Sequence, residues 1–451
     1  MSSSDIHILE FPFPAQGHML PLLNLTHQLS LRGLSITILI TPKNIPLLTP
    51  LLSSSPSIQS LILPSPTTLP SLPAARTSKT STTMATSQSW PLSVNSMIPS
   101  SSGWTHHLAT RLRIPRIVFY CSGAFVVSIF NHIMANFDSL KSEIDVIKFD
   151  DLPRTPSFSW DQLPSLFRRC KDLECRDKTE ADFIKTSMEA NALSWASVFN
   201  SFWALEDQFL EFLGSRKGHS KVYSVGPVNM VNGPAQLRVG DTKADSNNGV
   251  ISWLDGCDDG SILYVCFGSQ KLLTTAQVGA LATGLETSQV RFIWVVKPLS
   301  TQQVEDGYRS VPGGFEDWVS CQGLALKGWA PQTAILSHRA VGGFLSHCGW
   351  NSILEAMTAG VLILAWPMEA DQFGNAKLVV VYKDAAVLVC EGVDTVLDSA
   401  ELARKISESM DGSTTRRNKA KDFKKQALEA VKGGGSSITD LDRLAKELSK
   451  L

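Results

Sequence analysis

Several things are missing from this chain, and each absence narrows what it can be. Neither sign of charge dominates: 41 Lys and Arg stand against 42 Asp and Glu. No basic footprint for nucleic acid follows from such a balance. No apolar run reaches the ~20 residues a membrane helix needs, and the longest candidate, Arg116–Phe130, is broken by Ser, Gly and Cys. No basic segment followed by an apolar core and a small-residue cleavage site opens the chain, so secretion is not expected. The 8 cysteines show no CxxC pair, and Cys170 and Cys175 are too loosely spaced for a zinc knuckle. Reduced thiols in a cytoplasmic protein fit this usage best. No HExxH pattern joins His338 or His347, so no metal site is expected. No GxGxxG opens either half, which argues against a dinucleotide-dependent oxidoreductase.

What is present is enough apolar material, 43% of 451 residues, for two or three domains. His7–Phe13 is a short apolar run. After it, Leu20, Leu22, Leu23, Leu25, Leu29 and Leu31 recur at helical spacing up to Arg32 and Gly33. Ile36–Ile40 is β-branched and ends at Thr41 and Pro42, so strand, helix and strand follow one another as a βαβ unit. The second half repeats the style. Ile262–Phe267, Phe292–Val296, Ala340–Leu345 and Val361–Trp366 are buried-strand runs, with a helix predicted over Thr275–Glu286. Between the halves, Pro227–Asn248 is polar, contains Gly and shows no period; it is predicted to be a linker. The pattern predicts an α/β chain of two Rossmann-like, doubly wound domains facing a cleft, with ligands at the carboxyl ends of the strands.

The densest chemistry lies between Trp329 and Gln372. A strand leads into Ser346, His347, Cys348 and Gly349, and Asn351 or Ser352 is the predicted N-cap of the helix behind it. A helix N-terminus behind small and polar residues is a ready anion site. His347 and Ser352 add donors for a diphosphate. Glu355 lies on the same helical face as Ser352, where a carboxylate suits ribose hydroxyls. Trp329 offers a flat face to a base, and Asp371 with Gln372 could bind sugar hydroxyls in a bidentate manner.

With those residues in view, Trp329–Gln372 resembles the signature box of plant family 1 UDP-glycosyltransferases. The likeness extends over His7–Leu63, Gly103–Phe137 and most of the chain from Val222 onward. It is nearest to flavonoid and phenolic O-glucosyltransferases, judged by the run from Phe11 to His18. The resemblance implies a fold of GT-B type, with an N-terminal acceptor-binding domain over 1–226, a linker over 227–248, a UDP-sugar-binding domain over 249–436 and a helix over 437–451 packing back on the first domain. It implies uracil stacking on Trp329, with Ala330 and Gln332 near base and ribose, and Glu355 on the ribose hydroxyls. His347, Asn351, Ser352 and the Gly268–Ser269 turn would hold the phosphates, and Trp350, Asp371 and Gln372 the sugar. A closing Gln points to glucose. The partners implied are UDP-glucose, as co-substrate rather than cofactor, and a small phenolic acceptor such as a flavonoid, handled by a monomer. Inverting transfer needs a general base for the acceptor hydroxyl, and His18 matches the family's catalytic His.

The resemblance fails at one point. The family's Asp that orients this His would fall near Pro99, just before Gly103 and Trp104, and it is absent. Between Glu10 and Asp138 there is not one Asp or Glu, so no carboxylate local in the sequence replaces it. Ser65–Gly103 is rich in Ser, Thr and Pro and has neither period. A frameshifted or mis-spliced stretch is the expectation there; if the sequence is genuine, the alternative to an active O-glucosyltransferase is a chain that binds the nucleotide sugar with transfer impaired. Re-sequencing the transcript tests the first part; the same codons in an unbroken native frame would refute it.

Overall fold

The computed structural model describes residues 6–13, 15–62, 109–142, 144–174, 177–216, 221–231, 244–268, 271–315, 319, 321–412 and 414–451. The expectations for Ser65–Gly103, for the Gly103–Trp104 pair and for Ser269 fall outside those residues.

Strands of the first half are β1 (His7–Glu10), β2 (Ser35–Ile40), β3 (Ile58–Ile62), β4 (Ile117–Tyr120), the short antiparallel pair β5 (Ile147–Lys148) and β6 (Ser157–Phe158), β7 (Ala196–Phe199) and β8 (Lys221–Ser224). Among the described residues they form two parallel three-stranded sheets, β1-β2-β3 and β4-β7-β8. Ile36, Ile38 and Ile40 of β2 are buried at alternate positions, the period of two that a strand imposes. They share one apolar core with Leu23 and Leu29 of the helix Gln16–Ser30 and with Ala196 and Val198 of β7.

The second half is one six-stranded sheet, ordered β11-β10-β9-β12-β13-β14. Its strands are β9 (Ile262–Cys266), β10 (Arg291–Val296), β11 (Gly323–Lys327), β12 (Val341–Ser346), β13 (Leu362–Ala365) and β14 (Ala386–Leu388), all paired in parallel. Every residue of β9 is buried, as expected where helices cover both faces of a parallel sheet. The order runs outward from β9 in one direction and from β12 in the other. A topological switch point therefore lies between β9 and β12, where such sheets open a crevice beyond the strand ends.

Two local expectations change. The predicted linker over Pro227–Asn248 is too long, because the helix Ala244–Asp255 begins inside it. The helix after β12 starts at Trp350 with Gly349 as N-cap and no side-chain cap, not at Asn351 or Ser352. Gly349 carries the extended backbone a cap needs, so both polar side chains fall within the first turn instead.

The last helix, Ser436–Leu448, lies against β8. Asp440 accepts from the Ser224 amide at 2.8 Å and from the Trp203 indole at 3.3 Å, and Arg443 donates to the Val222 carbonyl at 3.0 Å. Leu441 and Leu444, each 1% exposed, close the core beneath β2 and β7. No helix among the described residues is long and apolar enough to cross a membrane.

Candidate active site

The site assembles at the carboxyl ends of the parallel strands. β9 ends beside Gly268, whose φ of +72° suits glycine, and a Cβ there would come within 2.7 Å of His347 Cε1. A side chain at 268 would thus displace the His347 ring from the switch point. His347 has a buried Nδ1 without a protein partner, and burial lowers its pKa to about 4. It is a neutral imidazole at ordinary pH. Next to it Cys348 takes φ +63°, and Ala370 in the loop after β13 takes φ +56°. Left-handed backbone at non-glycine residues costs of order 1–3 kcal/mol and collects at functional loops. Both loops that end at the crevice carry it.

The remaining residues of the predicted nucleotide segment gather around these turns. Gln332 Nε2 donates to Glu355 Oε2 at 2.7 Å, and the Tyr264 hydroxyl donates to Gln332 Oε1 at 3.4 Å. The helices Gln332–Ser337 and Trp350–Ala359 are thereby locked together. Trp329 is 44% exposed, a free face at the rim, whereas Ala330 and Ser352 are buried. Gln372 is buried, and its Oε1 accepts from the Met368 and Glu369 amides at 2.9 and 3.0 Å. Its NH₂ is the end left for a ligand.

Two residues assigned to donor contacts are also engaged across the cleft. Trp350 is 3% exposed and its indole N–H donates to the Asn200 carbonyl at 2.8 Å. Its ring packs on Gly123, where a Cβ would come within 2.7 Å of the indole and 2.5 Å of the buried Glu206 carboxylate. Asn351 Nδ2 donates to the Gly17 carbonyl at 2.7 Å. Both side chains bind the two halves to each other.

His18 stands in the first turn of Gln16–Ser30, edge-on to Phe13 with ring centroids 5.1 Å apart. Solvent reaches it, yet the walls of the cleft disfavour the imidazolium and lower its pKa, with Asp371 opposing. Asp371 enters from the loop after β13. Burial raises its pKa, opposed by hydrogen bonds from Asn375 and Ser122 and by His18. The Ser122 hydroxyl donates to Asp371 Oδ2 at 3.0 Å, and the Cys121 thiol donates to the His18 carbonyl at 3.6 Å. Burial lifts the Cys121 pKa to about 12, so it is a packed thiol rather than a nucleophile. Glu10, the nearest upstream carboxylate, is turned into the core. It accepts from the Thr26 hydroxyl at 2.6 Å, and burial raises its pKa to about 7.

Cys121, Ser122 and Gly123 were missed in the sequence reading. Their signal was available: a β-branched and aromatic run, Ile117–Tyr120, breaks into Cys-Ser-Gly before a helix, the same strand–turn–helix grammar that singled out Ser346–Gly349. Among the described residues no group of His, Cys, Asp and Glu is arranged to hold a metal ion.

The model of the family described as UDP-glucoronosyl and UDP-glucosyl transferase matches residues 243–420. UDP-glycosyltransferase 89A2 of Arabidopsis thaliana is 42% identical, over 100% of this chain and 97% of the relative. Flavonol 3-O-glucosyltransferase UGT89B1 of the same plant is 41% identical, over 99% of this chain and 96% of the relative. The crystal structure of Arabidopsis thaliana UGT89C1 complexed with UDP-L-rhamnose superposes with a TM-score of 0.73 at 32% identity, covering 98% of this chain and 99% of that one.

Proposed function

This chain belongs to the UDP-glycosyltransferase family, and from that premise we propose that it transfers glucose from UDP-glucose to a hydroxyl of a flavonol or similar small phenol, with inversion. His18 removes the acceptor proton, the acceptor oxygen attacks the anomeric carbon, and the bond to the diphosphate breaks with its electron pair leaving on UDP. Trp329 stacks on uracil, with Ala330 and Gln332 beside base and ribose, and Glu355 takes the ribose hydroxyls. His347, Asn351, Ser352 and the Gly268–Ser269 turn receive the phosphates. Trp350, Asp371 and Gln372 face the sugar, and residues 249–436 are the donor-binding unit. On this reading the enzyme works as a monomer in the cytoplasm.

The observation that carries the reading is the meeting of two strand-end sites. The Gln332–Glu355 pair and the His347 turn crowd the switch point of one sheet. His18 faces them from the end of β1, within the field of Asp371. A nucleotide sugar laid along the crevice brings its anomeric carbon between the two. Glucose is preferred over rhamnose because Gln372 presents an amide at the sugar end, although a similar solved structure holds UDP-L-rhamnose. The acceptor class rests on relatives named for flavonols.

Incubating the full chain with UDP-glucose or UDP-rhamnose and a panel of flavonols, benzoates and terpenoid alcohols, scored for UDP release, tests the proposal. Release with UDP-glucose and quercetin is expected. A second reading, a nucleotide-sugar binder with impaired transfer, is favoured by the lack of any Asp or Glu between Glu10 and Asp138. UDP binding in a calorimeter without release from any acceptor would select it.

A further inference from the structure

We propose that Asp371 is the carboxylate partner of His18, delivered from the opposite half of the molecule and held in place by Ser122. The inference rests on the glycosyl-transfer reading of the crevice and gives one of its donor-side residues a second task.

Carboxylates are scarce in the first part of the chain. No residue from 11 to 137 is Asp or Glu, and this count includes the stretch outside the described residues. Glu10 is 8% exposed and bound to Thr26 in the core. Apart from Asp5, which precedes β1 in the sequence, and Glu10, every carboxylate of the chain lies at position 138 or later, on elements that reach the carboxyl end of β1 from elsewhere.

Asp371 is one of these, and consecutive residues of one turn hold both members of the pair. The Cys121 thiol reaches the His18 carbonyl at 3.6 Å, and the hydroxyl of the next residue, Ser122, reaches Asp371 Oδ2 at 3.0 Å. On the other side Asn351 ties the preceding carbonyl, that of Gly17, at 2.7 Å. The main chain bearing the base is thus pinned from both sides, and the carboxylate is pinned to the same turn. The charges of His18 and Asp371 act on each other. Two thiols, Cys121 and Cys348, also face the carboxylate, and burial keeps both neutral.

The chemical role follows. As His18 accepts the acceptor proton it becomes an imidazolium beside cleft walls that disfavour that charge. The Asp371 carboxylate offsets that charge as it develops, which an oriented Asp does for His in a hydrolase triad. Ser122 is a positioning residue: its hydrogen bond favours the ionised carboxylate and fixes its direction. Because the base and its partner sit on different halves, the catalytic pair is complete only when the halves are together.

The test uses the full chain with UDP bound and follows the His18 imidazole by NMR against pH, its signal assigned by loss in His18→Gln. Removing a nearby negative charge destabilises the imidazolium, so Asp371→Asn should lower the His18 pKa by about one unit. The acid limb of kcat/KM should move down with it. Ser122→Ala should cut kcat about tenfold while leaving KM for UDP-glucose unchanged. An unmoved His18 titration in Asp371→Asn, with KM for the donor raised, would assign the carboxylate to the sugar alone and overturn the pairing. If Asp371→Asn does not fold, Ser122→Ala decides: unchanged kcat and pH profile overturn the proposal. The NMR readout needs no turnover, so it separates failure of the pairing from failure of the proposed function, which would show as UDP bound in the calorimeter without release from any acceptor.

Discussion

The two halves of this molecule solve the same architectural problem unequally. The second half closes a continuous six-stranded parallel sheet around its switch point, while the described residues of the first half form two sheets of three. β1 pairs only with β2, and β4 only with β7, among those residues. The residues around the switch point thus stand on one uninterrupted framework, whereas among the described residues the sheet that carries His18 meets β4-β7-β8 through a shared core and the last helix. Half of the crevice is preorganised by its own sheet. Contacts across the cleft tie the other half to it: Asn351 on Gly17, Trp350 on Asn200 and Gly123, Asp371 on Ser122.

If the division is real, damage in each half should have its own signature. The largest effect is expected from His18→Ala, which should reduce transfer by about 10²–10⁴ while calorimetric UDP affinity stays as in the parent. A variant that loses UDP binding as well would break the division. Next comes Leu441→Ala in the last helix. Truncating a fully buried leucine should cost about 2–5 kcal/mol, read in urea as earlier unfolding of the first half, with UDP still protecting the second. Coincident unfolding of both halves with and without UDP would show that they are one cooperative unit.

Glu10→Gln sharpens the comparison through pH. A carboxyl whose pKa rises from 4.5 to about 7 on folding holds its proton more tightly in the native state. The stability it contributes is present below pH ~4.5 and is lost as pH rises through ~7. Glutamine accepts the Thr26 hydroxyl without that loss. The variant should therefore match the parent at pH 4.5 and exceed it at pH 8, by up to about 3 kcal/mol. A gap that does not change with pH would remove the ionisation argument. The smallest effect is expected from Trp329→Ala at the rim of the second half. Loss of base stacking should weaken UDP about tenfold with the melting temperature unchanged.

The sequence was most legible where burial is two-sided. β9 and β12 are continuous apolar runs because helices cover both faces, and they were predicted to within a residue or two. The strand-then-polar-turn pattern before Trp350 was equally plain. The helix start was misplaced because Asn351 and Ser352 are good caps in isolation, whereas Gly349 already supplied the backbone geometry. The bond from the Trp350 indole N–H to the carbonyl of Asn200 joins residues 150 positions apart. The pairing of Ser122 with Asp371 lies 249 positions apart. Contacts between halves obey no period and no short spacing, so they stay invisible until the halves are placed together. The carboxylate missing from the first half could be counted as missing, but not located elsewhere.

The return of the last helix to β8 has a mechanical consequence. Past β8 the chain stays in the core of the first half through Val228 and Val231, and it comes back beside that segment at Ser437, whose hydroxyl donates to the Gly226 carbonyl at 2.5 Å. The segment after β8 and the start of the last helix are stitched side by side, so the second half is in effect an insertion between two neighbouring points of the first. A single tether lets a body swivel; two adjacent tethers resist twist and leave bending about one axis as the easy motion. Opening and shutting the crevice would then retrace one arc, returning Asp371 to Ser122 in the same alignment at each closure.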